Sequence, residues 1–163
     1  MSKTYNKFLQ LYAANKPIED LSIQKALEHF NRQSPAKPFR ITETQNKANH
    51  KTMRYDALLS NGVESIRVEA KTDQTSNRTG NFFIEFEQYG KNSGISTTEA
   101  DYYVITDAVK FYLISVSDIG EVLRLIDEEG DYRTRAHVNP DRMLTKGFIV
   151  KKSRLLEFAV DIT

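Results

Sequence analysis

Two carboxylates and a lysine near the middle of the chain have the types and spacing needed for phosphate chemistry. One residue separates Glu69 from Lys71, and twelve residues separate Asp56 from Glu69. Because successive side chains of a strand point to opposite faces, Glu69 and Lys71 share a face if this run is a strand. Their Cα atoms then lie about 7 Å apart along it. Such a pair can place a carboxylate and an ammonium beside one phosphate group.

Asn61 and Gly62 predict the element that brings Asp56 close to Glu69. An Asn-Gly pair between two apolar segments is typical of a β-hairpin. We therefore expect residues 54–71 to form a hairpin with Asp56 on its first strand and Glu69 on its second. Alternation in the second strand predicts an apolar face and a charged face, the latter formed by Arg67, Glu69 and Lys71.

Phosphodiester hydrolysis requires an activated water and stabilisation of the charge that grows on the phosphate oxygens. Mg²⁺ provides both, prefers oxygen ligands, and usually takes one or two carboxylates from the protein. Asp56 and Glu69 on neighbouring strands fit this requirement. The alternative is a solvated sheet face on which Glu69 and Lys71 form a surface ion pair, which contributes little to stability.

The hairpin resembles the PD-(D/E)XK nuclease superfamily, in which an acid on one strand is followed by Asp or Glu, one residue and Lys on the next. Tyr55 stands where the family pattern has proline. The run TGNFFIEFEQYGKNSGISTTEADYYVI (79–105) resembles small phage-type and restriction-like members, with a strand, a Ser-Gly loop and an Ala-Asp-Tyr segment after the lysine. The resemblance covers residues 53–115.

The resemblance implies a fold, a site and an activity. The fold is α/β (mixed α+β), with a restriction-endonuclease-like central mixed β-sheet flanked by helices in one domain over residues 1–163. Asp56, Glu69 and the Ala70 carbonyl are implied ligands of Mg²⁺, for which Mn²⁺ can substitute, and Lys71 positions or deprotonates the attacking water. The implied activity is that of a DNA endonuclease that is structure-specific (Holliday-junction-resolvase-like) or of limited sequence specificity. The alternatives are a non-catalytic nucleic-acid-binding module on the same fold and a restriction-type endonuclease.

Further acids are predicted as auxiliary site residues. Some superfamily members add a glutamate from a preceding helix, for which Glu28 and Glu19 are the candidates. Glu85 lies in the strand-like run 81–90, which has apolar residues on both faces. A carboxylate in such a run is costly unless it is paired, exposed at a sheet end or bound to metal.

Two polar loops are predicted to contact DNA phosphates, with ordinary exposed loops as the alternative. The first carries Lys47 and Lys51. The second, a Gly/Ser-rich loop, carries Lys91, Ser93 and Ser96. Ser96 also begins a capping-box pattern that predicts a short helix, whose N-terminus would suit a phosphate oxygen.

The remaining elements follow from hydrophobic periodicity. Helices are predicted over residues 3–14 and 17–31, separated at Pro17, so that residues 1–32 form an N-terminal helical region. A later helix is predicted to start at Ser117 or Asp118. Arg133, Arg135 and His137 have strand spacing and form a candidate basic strip. The element order predicts a mixed sheet with helices on its faces.

Composition limits the remaining possibilities. The chain has 163 residues, a net charge of +1 and no cysteine, which excludes disulfides, thiolate zinc sites and cysteine nucleophiles. No apolar run reaches membrane-spanning length, so we expect no membrane partner and an intracellular, possibly virus-encoded protein. A homodimer is expected, because cutting both DNA strands requires two centres.

Overall fold

The computed structural model describes residues 3–46, 48–138 and 144–163. Its helices are α1 (Lys3–Gln33), α2 (Ser76–Thr79), α3 (Val116–Glu128) and α4 (Lys152–Leu156). Its strands are β1 (Arg40–Thr44), β2 (Ala57–Ser60), β3 (Ser65–Thr72), β4 (Asn81–Gln88), β5 (Lys91–Asn92), β6 (Tyr102–Thr106), β7 (Phe111–Ser115), β8 (Thr134–Val138), β9 (Leu144–Lys151) and β10 (Val160–Asp161). In these residues, no helix has the length and apolar character needed to cross a membrane.

The main sheet has six strands in the order β1-β2-β3-β6-β7-β10. It is mixed because β3 and β6 run parallel, whereas its other neighbouring pairs are antiparallel. The predicted mixed α/β class, with a multi-stranded sheet flanked by helices, is confirmed. A second sheet, ordered β5-β4-β9-β8, was not predicted. It depends on the pairing of β4 with β9, which are distant in sequence.

The two faces of the main sheet are covered by different elements. On one face, Ile23 and Ala26 of α1 join a core cluster with Ala57, Leu59 and Val68 of the hairpin. On the other face, side chains of β6 and β7 pack with the second sheet and with α3 and α4, through a cluster that includes Tyr103, Ile105, Ile114, Phe82, Val150, Ile119 and Leu155. Since Val68 faces α1, alternation along β3 turns Glu69 and Lys71 toward the second sheet.

The predicted hairpin is confirmed as the pairing of β2 with β3, from Ala57 opposite Val68 to Ser60 opposite Ser65. Its turn spans residues 61–64. The Asn61 side-chain oxygen accepts hydrogen bonds from two backbone N–H groups of this turn, at 3.0 and 2.8 Å. Gly62 adopts a φ of 82°, which glycine tolerates without strain.

The predicted break between two N-terminal helices is wrong, because α1 is a single helix that contains Pro17. Proline removes one helical hydrogen bond and costs about 3 kcal/mol in a helix interior. Lys16 spans the proline through ion pairs with Glu19 at 2.6 Å and Asp20 at 3.1 Å. Tertiary contacts hold the following turns, where Ile23 is 5% exposed. Burying one such side chain stabilises by about 1.5–3 kcal/mol, so packing offsets the local penalty.

Two predicted helix starts also require correction. The chain forms a 3-10 turn at Gly94–Ser96 instead of a helix that begins at Ser96. The cause is that the Glu99 N–H donates to the Arg54 carbonyl at 3.2 Å, so this segment bonds to the start of the hairpin. Helix α3 begins before Ser117, because the Ser115 hydroxyl caps it by accepting from the Asp118 N–H at 3.0 Å.

Candidate active site

Asp56 lies one residue before β2, and its N–H donates to the Val68 carbonyl at 2.9 Å. The regular pairing of β2 with β3 ends at Ala57 opposite Val68. The charge on Glu69 raises the pKa of Asp56, so the two acids that the sequence singled out lie close enough to interact.

Ala70 connects these acids through its backbone. Its N–H donates to Oδ2 of Asp56 at 2.8 Å. The N–H and C=O groups of one strand residue point to the same edge of the strand, so the Ala70 carbonyl faces the space that opens where β2 ends. The predicted set of oxygen donors thus converges at one place.

Lys71 lies on the same face as Glu69, as predicted. Its Nζ is 2.6 Å from Oε1 of Glu69. The Glu69 side chain is 14% exposed and that of Lys71 is 44% exposed. The acid of this pair is therefore shielded from solvent, which disagrees with the alternative of a solvated sheet face.

Burial and a neighbouring like charge both act on the Asp56 carboxylate, with burial the larger effect. Burial and the charge on Glu69 together raise the pKa of Asp56 to about 7, against the lowering effects of Lys71 and the Ala70 N–H. Burial alone lowers the pKa of Lys71, but Glu69 and Asp56 outweigh it and hold this pKa well above its usual range. A second positive charge beside the two acids would relieve their repulsion.

The oxygen atoms of the site fit the coordination preferences of Mg²⁺. Asp56, Glu69 and the Ala70 carbonyl offer oxygen atoms, which are the ligands that Mg²⁺ prefers. Across the described ranges, no group of three or more His, Asp or Glu side chains has the arrangement of a metal cage. Two carboxylates are nevertheless sufficient for Mg²⁺, which usually retains several waters. The residues present fit this ion.

Tyr103 is a site residue that sequence reasoning missed. It lies beside Glu69 in the parallel β3–β6 pair and is 2% exposed. Its hydroxyl is buried and makes no hydrogen bond of good geometry to the described residues. Burial raises the pKa of Tyr103, and the charge on Lys71 opposes that shift. Alternation along β6 could indicate its face, but no local pattern indicated that β6 would lie next to β3.

An ion pair holds β6 in this position. The Arg67 guanidinium donates to both carboxylate oxygens of Asp101, at 3.2 and 2.9 Å. The Arg67 N–H also donates to Asp101, and the Asp101 N–H returns a bond to the Arg67 carbonyl, both at 2.8 Å. Asp101 belongs to the Ala-Asp-Tyr segment that the sequence singled out, and it sets the register that brings Tyr103 to Glu69.

The three predicted auxiliary acids, Glu19, Glu28 and Glu85, lie in different surroundings. Glu28 is exposed on α1. Glu19 lies nine residues earlier, about 14 Å along the helix axis, and its charge raises the pKa of Asp56. Of the two helix candidates, the structure therefore brings Glu19 toward the site. Glu85 accepts a hydrogen bond from the Ser93 hydroxyl at 2.6 Å and lines the neighbouring cavity.

The predicted phosphate contacts have mixed outcomes. Lys47 lies outside the described residues. Lys51, Lys91 and Ser96 are exposed, and their contact with phosphate stays a prediction. The Ser93 hydroxyl is already bonded to Glu85.

A cavity of about 630 Å³ opens beside Lys71. Its walls come from both sheets, and the strip predicted from Arg133, Arg135 and His137 contributes Arg135 to it. The cavity thus continues from the site into the space between the sheets.

No family model, curated protein or solved structure matches this chain. Membership of the PD-(D/E)XK superfamily therefore stays a prediction, which rests on the residue types and spacing of Asp56, Glu69 and Lys71.

Proposed function

We propose that this protein is a Mg²⁺-dependent DNA endonuclease of the PD-(D/E)XK type. The observation that carries the proposal is the convergence of Asp56, Glu69 and Lys71 on two paired strands, with Glu69 shielded and 2.6 Å from the lysine. Two shielded acids side by side destabilise the metal-free protein, because buried charges are costly unless they are paired or bound to a metal. A cation bound beside a phosphate would offset this cost, and the phosphate would also contact the lysine.

Asp56, Glu69 and the Ala70 carbonyl would hold the ion. When bound, Mg²⁺ supplies an activated water and stabilises charge on the phosphate oxygens, and Mn²⁺ can replace it. The Ala70 N–H fixes the orientation of the Asp56 carboxylate. Lys71 brings a positive charge to the edge of the cavity, where it orients the attacking water and counters the charge that develops on the phosphate.

The proposal also includes a restriction-endonuclease-like fold and a homodimer. The main sheet, with β3 and β6 parallel at its centre, supports a restriction-endonuclease-like fold. The described residues form one such centre, so cleavage of both DNA strands by this site calls for a homodimer. Sedimentation of the purified protein, with and without DNA, tests that expectation.

The direct test is a nuclease panel with supercoiled plasmid, linear duplex, single strand, flap and four-way-junction DNA. We expect cleavage of at least one substrate with Mg²⁺ or Mn²⁺ and none with EDTA. Glu69→Gln and Lys71→Met should abolish cleavage, whereas Glu64→Gln, in the exposed hairpin turn, should retain it. Equal cleavage by all three variants would refute the assignment of the site. A blank across all substrates would instead favour a non-catalytic binding module.

A further inference from the structure

The cavity next to Lys71 has the features of a pocket for a single nucleobase. Its volume of about 630 Å³ falls within the range of small-ligand sites. Its floor is built from buried side chains, with Phe82 at 0% and Ile105 at 1% exposed. Lys71 belongs both to this cavity and to the candidate active site. A group inside the cavity would therefore lie next to a phosphate held at Lys71.

The chemistry of the walls suits an unstacked base. Aromatic and branched apolar side chains from both sheets surround the space, among them Phe83, Ile84, Ile105 and Ile149. Flat aromatic bases gain affinity by stacking on aromatic side chains. Tyr103 also lines this space, although its hydroxyl oxygen is buried.

The mouth of the cavity is positively charged. Arg78 and Arg135 both line it and are exposed. Within the described ranges, neither has a carboxylate partner. The acids of the lining are already engaged: Asp73 accepts from the Phe83 N–H at 3.0 Å, and Glu85 accepts from Ser93. The two guanidinium groups therefore remain available for the phosphates on either side of an inserted base.

We propose that this cavity receives an unpaired nucleobase adjacent to the phosphate at Lys71, so that the substrate is single-stranded or locally unpaired DNA. This inference rests on the proposed nuclease function, because it places a DNA strand along Lys71. A fully paired duplex cannot supply a base to the cavity without breaking a pair, which costs a few kcal/mol. Selectivity for unpaired DNA then follows from the shape of the cavity.

The test measures binding without cleavage. Short fluorescein-labelled oligonucleotides, single-stranded or paired, are titrated with the full-length protein in EDTA, and fluorescence anisotropy reports affinity. An abasic position is moved along the single strand. We expect one position to weaken binding about tenfold, the loss expected for one stacked base, while other positions change it little. The fully paired oligonucleotide should bind more weakly than the single strand.

Two matched variants separate the cavity from general effects. Thr79→Trp places a large side chain at the mouth, where Thr79 is exposed and lines the cavity. It should remove the dependence on the abasic position. Thr42→Trp, on β1 at the far edge of the main sheet, is the control and should preserve that dependence. Circular dichroism verifies that both variants are folded.

The outcomes distinguish this inference from the function on which it rests. Equal binding at all abasic positions, or unchanged binding by Thr79→Trp, overturns the base pocket even if Mg²⁺-dependent cleavage is observed. A single sensitive position that Thr79→Trp removes supports the pocket, including in a protein that cleaves none of the panel substrates. In that last case the nuclease proposal fails while the cavity remains a nucleobase site.

Discussion

The Ala70 N–H donates to the Asp56 carboxylate at 2.8 Å and thereby links the two strands of the candidate active site. Burial and the nearby charge of Glu69 raise the pKa of Asp56, whereas this hydrogen bond lowers it.

Loss of either acid should reduce DNA cleavage strongly while leaving the fold intact. Asp56→Asn and Glu69→Gln keep the shape of the side chains but remove charges that hold the cation. We expect at least about a 100-fold fall in the single-turnover rate, the size seen when one transition-state contact is removed. Isothermal titration with Mn²⁺ should show weaker binding by both variants. The exposed control Glu64→Gln should match the wild type in both measurements.

The crowded Asp56 also predicts how stability depends on pH. In the folded protein its pKa lies at about 7, above the reference value of 3.8. The folded state then holds a proton that the unfolded state has released, so stability falls as the pH rises from about 4 through about 7. We expect Asp56→Asn to raise the Tm of the metal-free protein at about pH 8 and to change it less at about pH 5. Thermal melts in EDTA measure this.

A control variant and added Mn²⁺ extend the thermal-melt experiment on Asp56→Asn. Asp127→Asn removes a carboxylate from the exposed face of α3 and should show no comparable dependence on pH. Mn²⁺ should raise the Tm of the wild type at about pH 8, because a ligand of the folded state stabilises it. It should raise the Tm of Asp56→Asn less. A variant that is destabilised equally at both pH values would contradict the proposed crowding.

The site could be predicted from sequence because its acids and lysine belong to one hairpin. Asn61 and Gly62 fixed its turn, and period-2 alternation assigned Glu69 and Lys71 to one face. Tyr103 could not be found in this way, since its position depends on the parallel pairing of β3 with β6.

The second sheet and the long helix escaped prediction for related reasons. Pairing of β4 with β9 joins Phe82 to Val150 across most of the second half of the chain. Pro17 predicted a helix end by a local rule, whereas α1 continues because its later turns are held by the hairpin. Local patterns therefore predicted the grouping of Glu69 with Lys71 but not the walls of the cavity beside them.

Two glutamates on α1 give a matched pair for testing the auxiliary acid. Glu19 acts electrostatically on Asp56, whereas Glu28 is exposed about 14 Å further along the helix. We expect Glu19→Gln to change the Mn²⁺ affinity and the pH dependence of the Tm, because it removes a charge that acts on Asp56. Glu28→Gln should change neither. Identical behaviour of the two variants would exclude Glu19 from the site.

An ion pair just beyond the end of β6 joins the second sheet to the main one. Lys152, at the start of α4, lies 2.7 Å from the Asp107 carboxylate, whose side chain is 5% exposed. Its Nζ is also 5.2 Å from the centre of the Phe82 ring. Burial alone raises the pKa of Asp107, but the Lys110 N–H and the Lys152 ammonium outweigh it and lower this pKa below its usual range.

Removal of the Lys152 charge should destabilise the protein at neutral pH and reduce the loss of stability at acid pH. Lys152→Met leaves a shielded carboxylate without its partner, at a cost of about 3 kcal/mol. Because the pKa of Asp107 is depressed, the pair contributes stability above about pH 4, and this contribution is lost as the pH falls through the folded pKa. Urea unfolding should therefore show a large difference between wild type and Lys152→Met at neutral pH and a smaller one near pH 3. Lys151→Met, whose ion pair is exposed, should cost less than 1 kcal/mol.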